Sequence, residues 1–149
     1  MNPNVRVTPM SADLAIKEWD VIKSVITKVM DQACGRFTLE DVKERIASGH
    51  VMPMMIWDPT TQVIYSVICA EAEEYPLKKV FQLSICAGED IEEWGHVYPA
   101  IKDIARAMGF DQIDIVGRRG WKKFLPGATT DLGVFIEDLN DAEQDQEQE

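Results

Sequence analysis

Apolar and polar positions follow two different periods along the chain. "VRVTP" (5–9) alternates and stops at Pro9, which predicts a first strand. From Ser11 the period lengthens. Leu14, Trp19, Ile22, Ile26, Val29 and Met30 recur every three to four residues, predicting one helix from a Ser11 N-cap through residue 30. Asp13 in its first turn suits the helix dipole, and Gly35 ends the region. Thr38 caps a second helix with Glu40 and Asp41 in its first turn. Its apolar stripe is Leu39, Val42 and Ile46, and Gly49 terminates it.

The middle of the chain returns to strand-like runs. "VMPMMIW" (51–57) and "QVIYSVICAEAE" (62–73) flank "DPTT", a turn signal with proline at its second position, so they predict a hairpin. "KKVFQLSICAG" (78–88) adds a third strand. Asp90 is placed to cap a third helix whose stripe is Ile91, Trp94, Val97, Tyr98, Ile101, Ile104, Ala105 and Met108. Pro99 inside that stripe kinks the helix or marks its true start. Gly109 stops it, and "QIDIV" (112–116) follows as a short strand. A strand–helix–strand unit over 80–116 implies two parallel strands joined by a right-handed crossover. "GWKKFL" (120–125) reads as one helical turn and "LGVFIEDL" (132–139) as a last strand. The order β-α-α-β-β-β-α-β-(α)-β defines an α/β (α+β) chain: a mixed sheet with helices on both faces, in a single domain over 1–139.

Charge changes the picture at the two ends of this order. The 149 residues carry a formal net charge of -11. Seven acidic and no basic residues fall between Glu137 and Glu149, so the rest of the chain stands at only -4. Residues 140–149 are almost wholly polar and are expected to form a disordered, solubilising tail. No apolar run approaches the ~18 residues of a membrane span, and the first residues lack the pattern of a signal peptide. The expected location is the cytoplasm of whatever cell makes the protein.

Candidate chemistry is sparse. Cys34, Cys69 and Cys86 are odd in number and widely spaced, which argues against a disulfide framework. Cys69 and Cys86 lie in apolar runs and read as small buried hydrophobes. His50 and His96 pair with no cysteine at a spacing that suits a nucleophile or a zinc site, so no metal is expected. Met52, Met54 and Met55 read as filling a sheet face. "GEDIEEW" (88–94) suits helix capping without a bound cation.

The element order, with "ARAMGFDQIDI" (105–115), resembles the GNAT N-acyltransferase fold. There a long helix ends in a Gly-Phe-like junction before a strand, as Met108-Gly109-Phe110 does here. "GRRGWKKFL" (117–125) resembles the matching segment of GNAT-like proteins of tailed bacteriophages, which often lie among virion structural genes. The resemblance implies a pyrophosphate cradle between the fourth strand and the next helix, built from a basic, glycine-rich signature. The equivalent "CAGEDIEEWG" (86–95) has Gly88 and Gly95 at the wrong spacing. It carries Glu89, Asp90, Glu92 and Glu93 and no basic residue, so it should repel a diphosphate. The resemblance also implies a tyrosine acid after the fifth strand, yet no tyrosine follows Tyr98; Trp121 and Phe124 stand there. For the base, Gln82 and Ser84 are poor candidates, and Glu71 and Glu73 read more simply as solvent-facing strand ends. No catalytic and no cofactor-binding residue is therefore assigned.

The one concentration of positive charge is Arg118, Arg119, Lys122 and Lys123, with Trp121 among them. As a balanced surface turn it needs no function. As a binding site it suits an acidic protein surface, since arginine and tryptophan carry much interface energy. Nucleic acid fits less well, because a body at -4 opposes it. The acidic tail also has the charge to screen this segment in cis. The expectation is a catalytically degenerate GNAT-like phage protein with no cofactor, binding other proteins of the virion or its assembly in the host cell. The alternative is an active acetyl-CoA-dependent N-acetyltransferase, with Arg118 or Lys122 reaching a CoA phosphate.

Overall fold

A computed structural model describes residues 1–33, 36–115, 125, 127, 128 and 136–139. Five strands lie in chain order across one sheet: β1 (Arg6–Pro9), β2 (Val51–Trp57), β3 (Ile64–Glu74), β4 (Lys79–Gly88) and β5 (Gln112–Ile115). The first three pairings are antiparallel, and β4 and β5 run parallel, as the crossover unit predicts. Helices α1 (Ala12–Lys17), α2 (Trp19–Ile26) and α3 (Leu39–Ala47) precede β2. Helices α4 (Ile91–Trp94) and α5 (Tyr98–Ala107) connect β4 to β5.

The helices cover both faces of the sheet. On one face Ala15, Trp19, Ile22, Ile26, Val42 and Ile46 pack on Val67, Cys69, Ile85 and Ala87. On the other, Trp94, Val97, Ile101 and Ala105 pack on Met54, Ile56, Ile68, Phe81 and Leu83. The strand alternation that sorts these residues has one interruption on β4. Leu83 and Ile85 are two apart, which in a regular strand puts both on one face, yet they serve opposite faces. The register explains this: Ala70 opposes Leu83 while Cys69 opposes Ile85, so Ser84 is an extra, bulged residue. A similar slip between Ile56 and Trp57 leaves Tyr65 as the extra residue of β3.

Several expectations need correction. The helix expected over 11–30 is three pieces: α1, α2 and a 3-10 stretch, Thr27–Ala33. Ser11 does cap it, accepting from the Leu14 N–H at 3.3 Å. Leu14 itself is exposed, and Ala15 takes its place in the buried stripe. The chain turns at Glu18, so α1 packs beside α3 while α2 lies on the strands. The helix after β4 is also broken. Asp90 occupies the N-cap position but makes no side-chain cap bond, and its φ is 55°. Pro99 lies in the first turn of α5, marking that helix's true start. Met108 is exposed.

Both helix-terminating glycines perform as expected. Gly49 and Gly109 have φ of 84° and 85°. Each closes a paired C-terminal motif: the His50 N–H reaches the Arg45 carbonyl and the Phe110 N–H the Ala105 carbonyl. Thr38 and Asp41 form a reciprocal capping box at α3. Of the last expected strand, residues 136–139 are described and are not in a strand; of the helical turn expected at 120–125, residues 120–124 lie outside the described residues and Leu125 is not in a helix.

Candidate functional site

The parallel pair β4–β5 runs from Val80↔Gln112 to Leu83↔Ile115, and β4 then continues past the Ser84 bulge to Gly88. Parallel strands point their C-terminal ends to the same side of a sheet, and ligands of such sheets gather there. On this side lies the turn from Gly88 into α4. Its shape is set by close packing on β3. A Cβ on Gly88 would lie 2.7 Å from both the Ser66 Cβ and the Tyr65 carbonyl oxygen, so the backbone approaches where only glycine fits. Ser66 beneath it is fully buried and donates its hydroxyl to the Ala87 carbonyl at 2.6 Å.

The turn is strongly acidic. Glu89, Asp90, Glu92 and Glu93 are all exposed. The segment 86–95 has no basic residue of its own, and the fold brings two cations from elsewhere: Lys28, on the 3-10 stretch, lies 3.6 Å from Glu89, and the Met1 ammonium lies 3.7 Å from Glu93. All four groups are largely exposed, so each pair contributes about 0–1 kcal/mol, and Asp90 and Glu92 are left with no ion pair among the described residues. The periodicity of 11–30 put Lys28 on a helix and gave no sign that it faces residue 89.

Two backbone donors at the turn are already engaged. The Glu89 N–H donates to the Tyr65 carbonyl (3.4 Å) and the Glu93 N–H to the Asp90 carbonyl (2.8 Å). The Trp94 indole N–H donates to the Glu89 carbonyl at 2.8 Å. Helix α4 is a single turn before the chain tightens into a 3-10 turn, Gly95–Val97. Few peptide dipoles are therefore aligned behind this end.

The other candidate groups are dispersed. Glu71 pairs with Arg45 of α3 at 3.2 Å and sits opposite Gln82 in the register. It is thereby tied to a helix as a structural ion pair. Glu73 is partly exposed near the end of β3. Ser84 donates its hydroxyl to the Cys69 carbonyl at 3.4 Å. Cys69 and Cys86 serve opposite faces of the sheet, and burial pushes each thiol up to about 12. Neither supplies thiolate near neutral pH. His50 and His96 are exposed, and His50 Nδ1 lies 2.7 Å from the Ser48 hydroxyl. Met54 is buried and Met52 and Met55 partly so, filling the sheet faces as read from the sequence. Among the described residues no three His, Cys, Asp or Glu side chains are grouped to hold a metal ion. No described helix is long and apolar enough to cross a membrane. Cys34, Arg118, Arg119, Trp121, Lys122, Lys123 and the tail 140–149 lie outside the described residues.

A polar cluster flanks the turn and was not visible in the sequence. Asp58, of the "DPTT" turn, is 2% exposed. It accepts from the Asn2 amide at 3.0 Å and from the Thr60 and Thr61 N–H groups. Asn2 also donates to the Tyr65 hydroxyl at 3.1 Å. The Asn2 bond, aided by the two N–H groups and opposed by burial, holds the Asp58 carboxyl below its ordinary range. The Thr38 N–H, then its hydroxyl, does the same for Asp41. A carboxyl whose folded value is depressed stabilises the fold above its unfolded value, and that stability is lost as pH falls through the folded value. We expect these two contributions to be complete above about pH 4 and to disappear below it. Denaturant midpoints measured down the acid range will check this, with Asp58→Asn giving a shallower acid decline than wild type.

The sheet order, the parallel β4–β5 pair and the helices on both faces are those of the GNAT acetyltransferases, and comparison with solved structures bears out this GNAT-like α+β fold. An aminoglycoside acetyltransferase from an uncultured soil metagenomic sample, solved with sisomicin, matches with a TM-score of 0.66 at 9% identity. The match covers 91% of this chain and 97% of that one. A predicted acetyltransferase from Clostridium acetobutylicum, solved with acetyl-CoA, gives 0.63 at 8% identity, covering 93% and 97%. A probable acetyltransferase gives 0.67 at 10%, covering 89% and 99%. No protein-family model matches the sequence, and no curated protein matches it. At these identities the likeness is one of fold.

Proposed function

We propose that this chain uses the GNAT-like fold as a scaffold for binding other proteins and does not transfer acyl groups from CoA. The observation that carries this reading is the acidic β4–α4 turn. Where the fold would receive a diphosphate stand Glu89, Asp90, Glu92 and Glu93, opposed only in part by Lys28 beside Glu89 and the Met1 ammonium beside Glu93. A diphosphate there needs free N–H donors and positive potential. The Glu89 and Glu93 N–H groups are already bonded, and the four carboxylates supply the opposite sign.

The binding surface we propose is the basic segment with Arg118, Arg119, Trp121, Lys122 and Lys123, suited to an acidic protein partner. A bacteriophage virion or its assembly is the proposed setting; it rests on the resemblance of residues 117–125. Replacing Arg118, Arg119, Lys122 and Lys123 with Ser is expected to leave the melting temperature unchanged. The proteins that co-purify with the wild-type chain at low salt should be lost. A collapse of the melting transition would make the segment structural instead.

A second reading, an acetyl-CoA-dependent N-acetyltransferase, draws on the Ser84 bulge beside the end of the β4–β5 pair and on the acetyl-CoA-bound relative. Calorimetric titration with acetyl-CoA separates the two. The scaffold reading expects no binding heat at millimolar ligand and no thermal shift. A ligand at ~100 times its Kd would add ~2.7 kcal/mol of stability. Such a shift, with thiol release in the presence of amines, would establish the transferase.

A further inference from the structure

We propose that the segment before β1 is a strap that holds the β4–α4 turn in a strained conformation, with Asn2 as its latch. The strain is at Asp90. It is one of two non-glycine residues with positive φ among the described residues, and its side chain makes no cap bond that would favour this geometry. Left-handed backbone is unfavourable for a residue with a Cβ and persists only where surrounding contacts over-determine it. The contacts are identifiable. On one side of Asp90, the Glu89 N–H is held by the Tyr65 carbonyl and the Glu89 carbonyl by the Trp94 indole. On the other, the Glu93 carbonyl accepts the Asn2 backbone N–H at 3.0 Å.

Asn2 reaches both sides of the strained residue. Its backbone binds Glu93 directly. Its side-chain amide donates to the hydroxyl of Tyr65, whose own carbonyl holds Glu89. Tyr65 is the bulged residue of β3, so its carbonyl faces the turn instead of being set by a regular ladder. The same amide is fixed by the buried Asp58 carboxylate, and the Asn2 side-chain oxygen accepts the Asn4 N–H at 2.9 Å. The latch is thus preorganised from the β2–β3 turn, far in sequence from what it restrains. With the strap in place the turn is fixed; with it released, Asp90 can return to an ordinary conformation and redirect the carboxylates beside it. The device governs the shape of the turn whether or not CoA binds there.

Amide hydrogen exchange on the full chain tests it. Asn2→Ala should accelerate exchange at Glu89 and Glu93 at least tenfold. The Val67 and Ile85 amides of the central strands should keep wild-type rates. In an Asp90→Gly background the same Asn2→Ala change should have little effect, because the turn no longer stores strain. Equal turn exchange in Asn2→Ala and wild type, or a uniform rise across all amides, overturns the proposal. A second arm does not depend on Asn2→Ala folding. Asp90→Gly should raise the melting temperature more than Asp90→Asn, which removes the same charge but keeps the Cβ. Equal melting temperatures for these two variants also overturn it.

Discussion

Replacing Phe81 with Ala should cost about 3–5 kcal/mol, the largest single-residue loss of stability expected in this chain. Phe81 is 2% exposed, on a strand paired on both sides: with Ala72 of β3 and with Ile113 of β5. Its ring packs on Phe110 with centroids 5.0 Å apart and planes 57° apart, a tilted arrangement favourable for aromatic pairs. Phe110 is itself fixed by the Gly109 turn, so it is poorly placed to collapse into the cavity left behind. Domains of this kind are stable by roughly 5–15 kcal/mol, so the variant should be near its unfolding threshold at room temperature. A urea unfolding series will read the difference. A loss below about 1.5 kcal/mol would place Phe81 outside a tightly packed core.

The second large effect is a gain. Glu89→Gln, Asp90→Asn, Glu92→Gln and Glu93→Gln together should create measurable affinity for acetyl-CoA, where the proposed scaffold reading expects none of the wild type. Each like-charge contact with a phosphate costs on the order of 1 kcal/mol near a surface, so removing four makes binding about a hundredfold tighter or more. The substitution also frees Lys28 from Glu89, leaving a cation beside the turn. Loss of that exposed pair has little effect on stability. Calorimetry at low salt gives the comparison, and added salt should narrow it. If the variant binds no better than wild type, the charge of this turn does not govern cofactor binding.

The sequence carried the sheet well because its signals there are local. The "DPTT" turn between two apolar runs sets β2 and β3, with Asp58 bonding the N–H groups of Thr60 and Thr61. Gly49 and Gly109 stop their helices because each must adopt positive φ. The break at Glu18 leaves no mark in the sequence because Ala15, Trp19, Ile22 and Ile26 keep helical spacing straight through it. What broke the helix was the need for α1 to meet α3 and for α2 to meet the sheet, which is a tertiary demand. Asp90 looked like a cap because its residue type suits one; packing of Gly88 against Ser66 and Tyr65 dictated the backbone instead. The acidity of the candidate site was legible in full. Its opposing cations, Lys28 and the Met1 ammonium, and the Asn2–Asp58–Tyr65 cluster were not, since all of them join residues distant in sequence.

The latch joins Asn2 to Glu93, and this has a consequence during synthesis. Asn2 leaves the ribosome about 90 residues before its partner, which at 5–20 residues per second is a wait of roughly 5–18 s. Until β2 emerges, part-way through that interval, β1 has no antiparallel partner and its nascent edge is open to other chains. Pro3 and Pro9 bracket it. A backbone that lacks N–H groups on both flanks is a poor template for intermolecular pairing while the chain waits to close.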